Sequence, residues 1–281
     1  MSSTVTGQIL EVPGARLHYE TVGSGPVLAL IGLPMTGSGF AALASRLAAD
    51  FTVVTYDPRG FGRSTVEDSE QDAVPELVAD DMRRVLEAVT DEPALVFGSS
   101  GGAVTGLELV TRHPEKVRVL VAHEPPVIEM LPDADTVRAR VRDVYDTFRA
   151  HGADAAFGKF MVLCGFEVPE PNPDSPPPAP SERDRADGDR MLAHSILPTT
   201  AYRPDVTALV AASTRVVIGG GVRSTGQLAR RAGDALAAAL GTPVAEFPGG
   251  HAGFMDPGWN GEQGGALAFA DALRRVLAEN A

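Results

Sequence analysis

Residues 93–102 read Pro93-Ala94-Leu95-Val96-Phe97-Gly98-Ser99-Ser100-Gly101-Gly102. A short apolar run enters Gly-x-Ser-x-Gly, and a helical pattern from Ala103 to His113 follows at once. Strand, tight turn, helix is the context in which that five-residue pattern carries chemistry. The turn is sharp, so the positions two before and two after the serine must be small, as Gly98 and Gly102 are. Ser100 is then expected in a strained backbone conformation at the head of a helix, its hydroxyl outward. The free N–H groups and positive dipole end of that helix would face any anion forming there. A turn that merely joins a strand to a helix has the same local sequence, so the rest of the chain decides.

The strands and helices around this stretch alternate. Gln8 to Val12 and Arg16 to Val22 read as a hairpin turned at Pro13-Gly14. Val27 to Ile31, Thr52 to Tyr56 and Val117 to Ala122 are continuous apolar runs, the pattern of strands buried on both faces of a parallel sheet. Phe40 to Ala49 and Pro75 to Val89 have helical periodicity, the latter with Val78, Met82, Val85, Leu86 and Val89 on one face. At Val127 the rhythm breaks. Helices at Asp135 to Ala150, Ala153 to Leu163 and Glu182 to Ile196 follow one another without strands. Between the last two, Val168 to Pro180 holds seven prolines in thirteen residues, which excludes regular structure. Alternation then resumes: a helix at Asp205 to Ala212, a strand at Arg215 to Ile218, a turn at Gly219-Gly220-Gly221, a helix at Gln227 to Leu240, a strand at Val244 to Phe247 and a closing helix at Ala266 to Glu279. The fold class is α/β: a mostly parallel eight-stranded sheet flanked by helices. Its core is assigned to 1–126 and 205–281, with a helical cap at 127–204 that contains the proline-rich loop 168–180.

A net charge of −13, with Lys116 and Lys159 the only lysines, argues against a nucleic-acid partner, because no basic stripe is available to neutralise phosphates. Cys164 is the only cysteine, which excludes an internal disulfide and a cysteine-based metal site. Met1 to Gly7 lacks the basic-then-apolar order of a signal peptide, and no apolar run reaches membrane-spanning length. A cytoplasmic protein acting on a small molecule, bound to neither membrane nor nucleic acid, is expected, with a homodimer left open.

A serine hydroxyl needs a base within hydrogen-bond reach, and the base needs a partner that fixes its tautomer. His251 is the candidate base. It lies in the glycine-rich loop Pro248-Gly249-Gly250-His251-Ala252-Gly253-Phe254, directly after a strand, on the same carboxyl edge of a parallel sheet as Ser100. His18, His113 and His151 read as loop or cap residues, and Cys164 as packing. His194 falls in the last cap helix, where a pocket-facing position and a surface position are both open. Arg59, Arg63 and Arg223 lie near strand ends, where a substrate carboxylate or a structural partner could meet them. No phosphate-loop or metal-ligand spacing occurs, so no cofactor and no metal is expected.

Four stretches in this order, Ile31-Gly32-Leu33-Pro34, Asp57-Pro58-Arg59-Gly60-Phe61-Gly62-Arg63-Ser64, Gly98-Ser99-Ser100-Gly101-Gly102 and Gly250-His251-Ala252-Gly253-Phe254, resemble those of capped serine hydrolases of the α/β-hydrolase fold. The likeness spans nearly all of residues 8–280 and is weakest in the cap. It implies Ser100 as nucleophile and His251 as general base. The oxyanion would be held by the backbone N–H groups of Gly101 and Leu33, Pro34 having none. Ile31 departs from the histidine many relatives carry before the glycine of that loop. The acid of many relatives follows the strand before last, where this chain has only Gly219 to Ser224, and Asp234 lies too far along the next helix. Other members carry it after the strand that follows the nucleophile helix, which makes Glu124 the implied acid, ahead of Asp57.

A serine at the elbow sets the chain apart from the aspartate-nucleophile members, the haloalkane dehalogenases and epoxide hydrolases. The resemblance implies cleavage of an ester, thioester or lactone of a small to medium, largely apolar substrate through an acyl-enzyme. Two alternatives stand beside it: lyase, cyclase or cofactor-free haloperoxidase-like chemistry on the same scaffold, and a non-catalytic ligand binder.

Overall fold

The computed structural model describes residues 5–166, 180–256 and 265–281. The sheet begins with the antiparallel hairpin β1 (Thr6–Val12) and β2 (Ala15–Gly23), then β3 (Val27–Ile31), α1 (Ala41–Leu47), β4 (Thr52–Tyr56), the two-residue β5 (Thr65–Val66) and α2 (Pro75–Val89). β6 (Ala94–Ser99), α3 (Gly101–Arg112) and β7 (Val117–His123) follow. After β7 come α4 (Ala134–His151), α5 (Ala153–Cys164), α6 (Glu182–Arg190), a π-helical turn at Met191–Ser195, and α7 (Ile196–Thr200). The chain closes with α8 (Val206–Ala211), β8 (Arg215–Gly221), α9 (Leu228–Leu240), β9 (Ala245–Phe247) and α10 (Gly265–Asn280). The proline-rich loop falls outside the described residues except for Pro180. None of the described helices is long and apolar enough to cross a membrane.

Strand order is β1-β2-β4-β3-β6-β7-β8-β9, eight strands on one path, with β5 paired to β2 beside it. β1, β2 and β5 are antiparallel to their neighbours, and the sheet from β4 to β9 is parallel. The central strands alternate between two apolar cores. Leu28 and Leu30 of β3, with Phe97 and Val121, pack under α1 and α10 against Leu43, Leu47, Phe269 and Leu273. Ala29 and Ile31, with Val96 and Leu120, face α2, α3 and α9 through Met82, Val85, Leu107 and Leu236. Both side-chain sets of one strand are buried, which explains why these strands carry no polar alternation.

One correction concerns Gly219-Gly220-Gly221. It is no turn but the end of β8, with Gly219 opposite both His123 and Ala245 and Gly221 opposite Phe247. The glycines are there for lack of space. A Cβ on Gly219 would lie 2.8 Å from the Phe247 ring, and one on Gly221 would lie 2.7 Å from Gly249 O. A second difference lies in the helix expected over Glu182 to Ile196. It is three pieces, and His194 sits in the π-helical turn between α6 and α7. Asp205 caps α8, its Oδ1 accepting from Ala208 N at 2.9 Å.

Two buried charges fix the loop after β4. The Arg59 guanidinium forks onto Asp81 of α2, with Nε to Oδ2 at 2.7 Å and Nη2 to Oδ1 at 2.6 Å, and its Nη1 donates to Gln71 Oε1. Arg59 and Asp81 are 1% and 0% exposed, so removing one partner strands the other charge away from water. The Asp81→Ala variant is expected to lose about 3–5 kcal/mol of unfolding free energy in a urea titration. Replacing both members with leucine should recover much of that loss.

Candidate active site

The carboxyl ends of the central strands are level with one another. Ile31 pairs with Gly98, Ser99 with His123 and His123 with Gly219, so the loops after β3, β6, β7 and β8 open on one edge. Ser100 follows β6 with φ 56° and ψ −125°, the strained conformation expected of the elbow. Its N–H donates to His123 O at 3.0 Å. The turn closes tightly enough to demand small residues. A Cβ on Gly98 would lie 2.5 Å from Gly102 O, and one on Gly102 would run into Ile31 O. The loop after β3 presses on the helix start from the other side, since a Cβ on Gly101 would lie 2.5 Å from Leu33 O. Gly101 and Leu33 thus bring their backbones to the same spot beside Ser100.

His251 and Glu124 meet. Glu124 follows β7 directly, and its Oε2 is 2.6 Å from His251 Nδ1. Its other oxygen, Oε1, accepts from Gly221 N at 2.7 Å, and its backbone N–H donates to Gly219 O. Glu124 is fully buried and His251 is 9% exposed. Among the described residues, Ser100 and Glu124 are the two non-glycine residues with positive φ, 56° and 48°. The two strained backbones therefore both fall on predicted site residues. Burial alone would push the Glu124 carboxyl up. The His251 hydrogen bond and the Gly221 N–H outweigh it and hold the carboxyl well below its usual range.

His123, the residue before Glu124, is fully enclosed by the Phe97, Phe247, Phe254 and Phe269 rings, with ring centres 5.4–6.3 Å away. Its Nδ1 is 3.5 Å from Ser99 Oγ, and its Nε2 has no hydrogen-bond partner among the described residues. Burial pushes it down to about 4, so it is a neutral packing group under the site.

A cavity of about 660 Å³ opens over this edge. Leu33, Ser100, Gly101 and His251 are among the residues that line it. Phe157, Phe160 and Phe166 around α5, Met191, Ile196 and Phe254 supply an apolar wall. The Phe166 ring also lies 5.3 Å, ring centre to ring centre, from His251, tilted by 40°. The helices between β7 and β8 are anchored to the loop after β4 through Arg190. That side chain donates to Ser69 O and Gln71 O, both at 2.9 Å, and lies 5.7 Å over the Phe61 ring.

Other residues singled out in the sequence fall elsewhere. His194 pairs with Asp72 at 3.0 Å and does not line the cavity. Asp57 accepts from Gly37 N and from the backbone and guanidinium of Arg63, so both belong to the structural loop after β4. Asp234 pairs with Arg230 on the surface of α9. Cys164 lines the cavity as a neutral thiol, pushed by burial up to about 12. Among the described residues, no group of three or more His, Cys, Asp or Glu side chains could hold a metal ion.

A family model described as the alpha/beta hydrolase fold matches residues 25–161. The uncharacterized hydrolase YraK of Bacillus subtilis is 33% identical over 256 residues, covering 89% of this chain and 91% of that protein. The chain belongs to the α/β-hydrolase family. This α/β-hydrolase also aligns with bifunctional epoxide hydrolase 2 of Sus scrofa, at 27% identity over 143 residues, 50% of this chain and 26% of that protein. An alpha/beta hydrolase from Sphaerobacter thermophilus shares its fold with a TM-score of 0.66 at 24% identity, covering 97% of this chain and 99% of that one.

Two features went unread in the sequence, the Gly221 N–H on Glu124 and the Phe166 ring on His251. The first could not be seen because backbone donors leave no residue-type signal. The second comes from a segment between β7 and β8 with no motif of its own.

The two buried titratable groups give the stability a stepped pH dependence. His123 falls from its ordinary 6.5 to about 4, so stability present above 6.5 is lost as pH falls through that interval. Glu124 falls from 4.5 to about 2, so its contribution is lost over that lower interval. Unfolding free energies measured across pH should show His123→Phe flattening the upper step and Glu124→Gln the lower one.

Proposed function

We propose that this α/β-hydrolase is a serine hydrolase of carboxylic esters, thioesters or lactones, acting through an acyl-enzyme on Ser100. The observation that carries the reading is the buried Glu124–His251 hydrogen bond of 2.6 Å, with His251 in the wall of the cavity that Ser100 also lines. Glu124, ionised, takes the Nδ1–H of His251 and leaves Nε2 as the basic nitrogen. Nε2 accepts the Ser100 proton as Oγ bonds to the substrate carbonyl carbon. The carbonyl π electrons move to oxygen, and the backbone N–H groups of Gly101 and Leu33 receive that oxyanion. Collapse breaks the bond to the leaving alcohol, thiol or lactone oxygen, which takes the proton from His251. Water then adds to the acyl carbon with His251 as base, and the acid is released as the Ser100 oxygen regains its proton.

Ser100 supplies an oxygen nucleophile whose acyl adduct water can hydrolyse, which favours carbonyl substrates over the epoxides acted on by aspartate-nucleophile relatives. The cavity wall is largely apolar, and its volume suits a substrate of small to medium size. Cytoplasmic action without a cofactor is part of the same reading.

Incubation with an uncharged fluorophosphonate should add one adduct to the intact mass of the wild type and none to Ser100→Ala. On a series of p-nitrophenyl esters, Glu124→Gln should lower kcat by a factor on the order of 10³–10⁴, because His251 then loses the partner that sets its tautomer. Absence of an adduct on folded wild-type protein would overturn the acyl-enzyme reading.

A further inference from the structure

The charges around the cavity are one-sided. No lysine or arginine is among its lining residues, whereas Asp184 and Asp187 of α6 are. Arg59 and Arg63, which could have met a substrate carboxylate, are committed to Asp81 and to Asp57 with Glu20. Among the described residues that line the cavity, no lysine or arginine is offered to an anionic substrate.

The two carboxylates differ. Asp184 is occupied by its own helix start, accepting from the backbone N–H and hydroxyl of Ser181 at 2.9 and 2.7 Å. Asp187 is half-buried, and among the described residues it has one donor, the Gly62 N–H, shared between Oδ1 at 3.0 Å and Oδ2 at 3.2 Å. A carboxylate has about four acceptor directions, so one shared donor leaves most of its capacity unused among the described residues. Arg183 bears on it only through space, opposed by Asp57 and Asp184. Phe157 and Phe160 line the same cavity, with ring centres 6.1 Å apart. Aromatic rings and a carboxylate lining one cavity favour a soft organic cation over a hydrated anion.

We propose that the cavity selects esters bearing a cationic group, quaternary or protonated ammonium, at the end remote from the scissile carbonyl, and discriminates against esters carrying an anion there. Asp187 is the residue that sets this preference. The inference rests on the Ser100 reading and specifies its substrate class.

The test uses p-nitrophenyl esters of matched chain length that end in methyl, trimethylammonio or carboxylate, over a range of chain lengths. At the best length, kcat/KM for the trimethylammonio ester should exceed that for the carboxylate ester by about tenfold or more at low salt, with the methyl ester between them. The ratio should shrink as salt is raised, since the charges face a solvent-connected cavity. Asp187→Asn keeps an acceptor for the Gly62 N–H while removing the charge, and it should lower the cation-to-anion ratio by about threefold or more. Because a ratio is read, a general loss of activity in the variant cancels. A wild-type ratio near one, a preference for the carboxylate, or a ratio that neither salt nor Asp187→Asn moves would overturn the inference. Labelling of Ser100 by the uncharged fluorophosphonate keeps the two failures apart. Labelling without charge ranking sinks only the cation preference, whereas no labelling on folded protein sinks the hydrolase reading beneath it.

Discussion

A buried carboxylate is costly unless donors replace the water it gave up. Glu124 sits at the junction of β7, β8 and the loop after β9, and both its oxygens are used. One takes the last N–H of β8, the other takes His251. That arrangement requires Glu124 to leave β7 with positive φ, requires Gly221 to lie within reach, and requires the loop after β9 to carry His251 back over the strand ends. The backbone agrees at each point, since Glu124 N–H donates to Gly219 O and Arg223 N–H to Gly249 O. The carboxylate thus joins three strand ends as well as holding an imidazole. Without it the charge relation and the loop geometry would both be lost, which explains why such a group is buried at all.

The same junction marks where the sequence was legible. Val27–Ile31, Thr52–Tyr56 and Pro75–Val89 have the bounds their apolar patterns predict, because a strand buried on both faces must be apolar throughout and a surface helix must repeat. The elbow was legible because its Gly-x-Ser-x-Gly spacing lies in one short segment, where Gly98 closes on Gly102, although Gly101 and Gly102 also yield to the loop after β3. Gly219 to Gly221 misled for the opposite reason. Glycine is the usual residue of a turn, but here it yields to Phe247 and Gly249 approaching from another strand and loop. Nothing within the segment records that approach. The π-helical turn at Met191–Ser195 is equally invisible, since its residues have ordinary helical character.

Glu124 itself stood between these cases. Its position at a strand end followed from local pattern, whereas its partner lies 127 residues further along the chain. Only the parallel order of β7, β8 and β9 brings the two together, and that order was implied by the family resemblance before the structure displayed it. Asp187 had no such support. Its contact with Gly62 joins a helix after β7 to a loop after β4, across 125 residues. No periodicity announces such a pairing, and an aspartate in a charged helix reads as solvated surface.

The cavity wall and the buried pair act on the same electrostatics. Phe166 covers His251, and the aromatic cluster around His123 excludes water from below. In so dry a surrounding, a hydrogen bond to an ionised group is stronger than in water, and a neighbouring charge is felt further. The neutral state of His123 is then a requirement of the arrangement. A cation enclosed beside Glu124 would compete with His251 for the carboxylate and weaken its hold on the Nδ1 proton. Burial among four phenylalanine rings, with Ser99 Oγ 3.5 Å from its Nδ1, keeps His123 uncharged where a more polar pocket would not. The apolar packing beneath the strand ends therefore leaves Glu124 bound to His251 and to the Gly221 N–H, so that the imidazole alone connects its charge to the cavity.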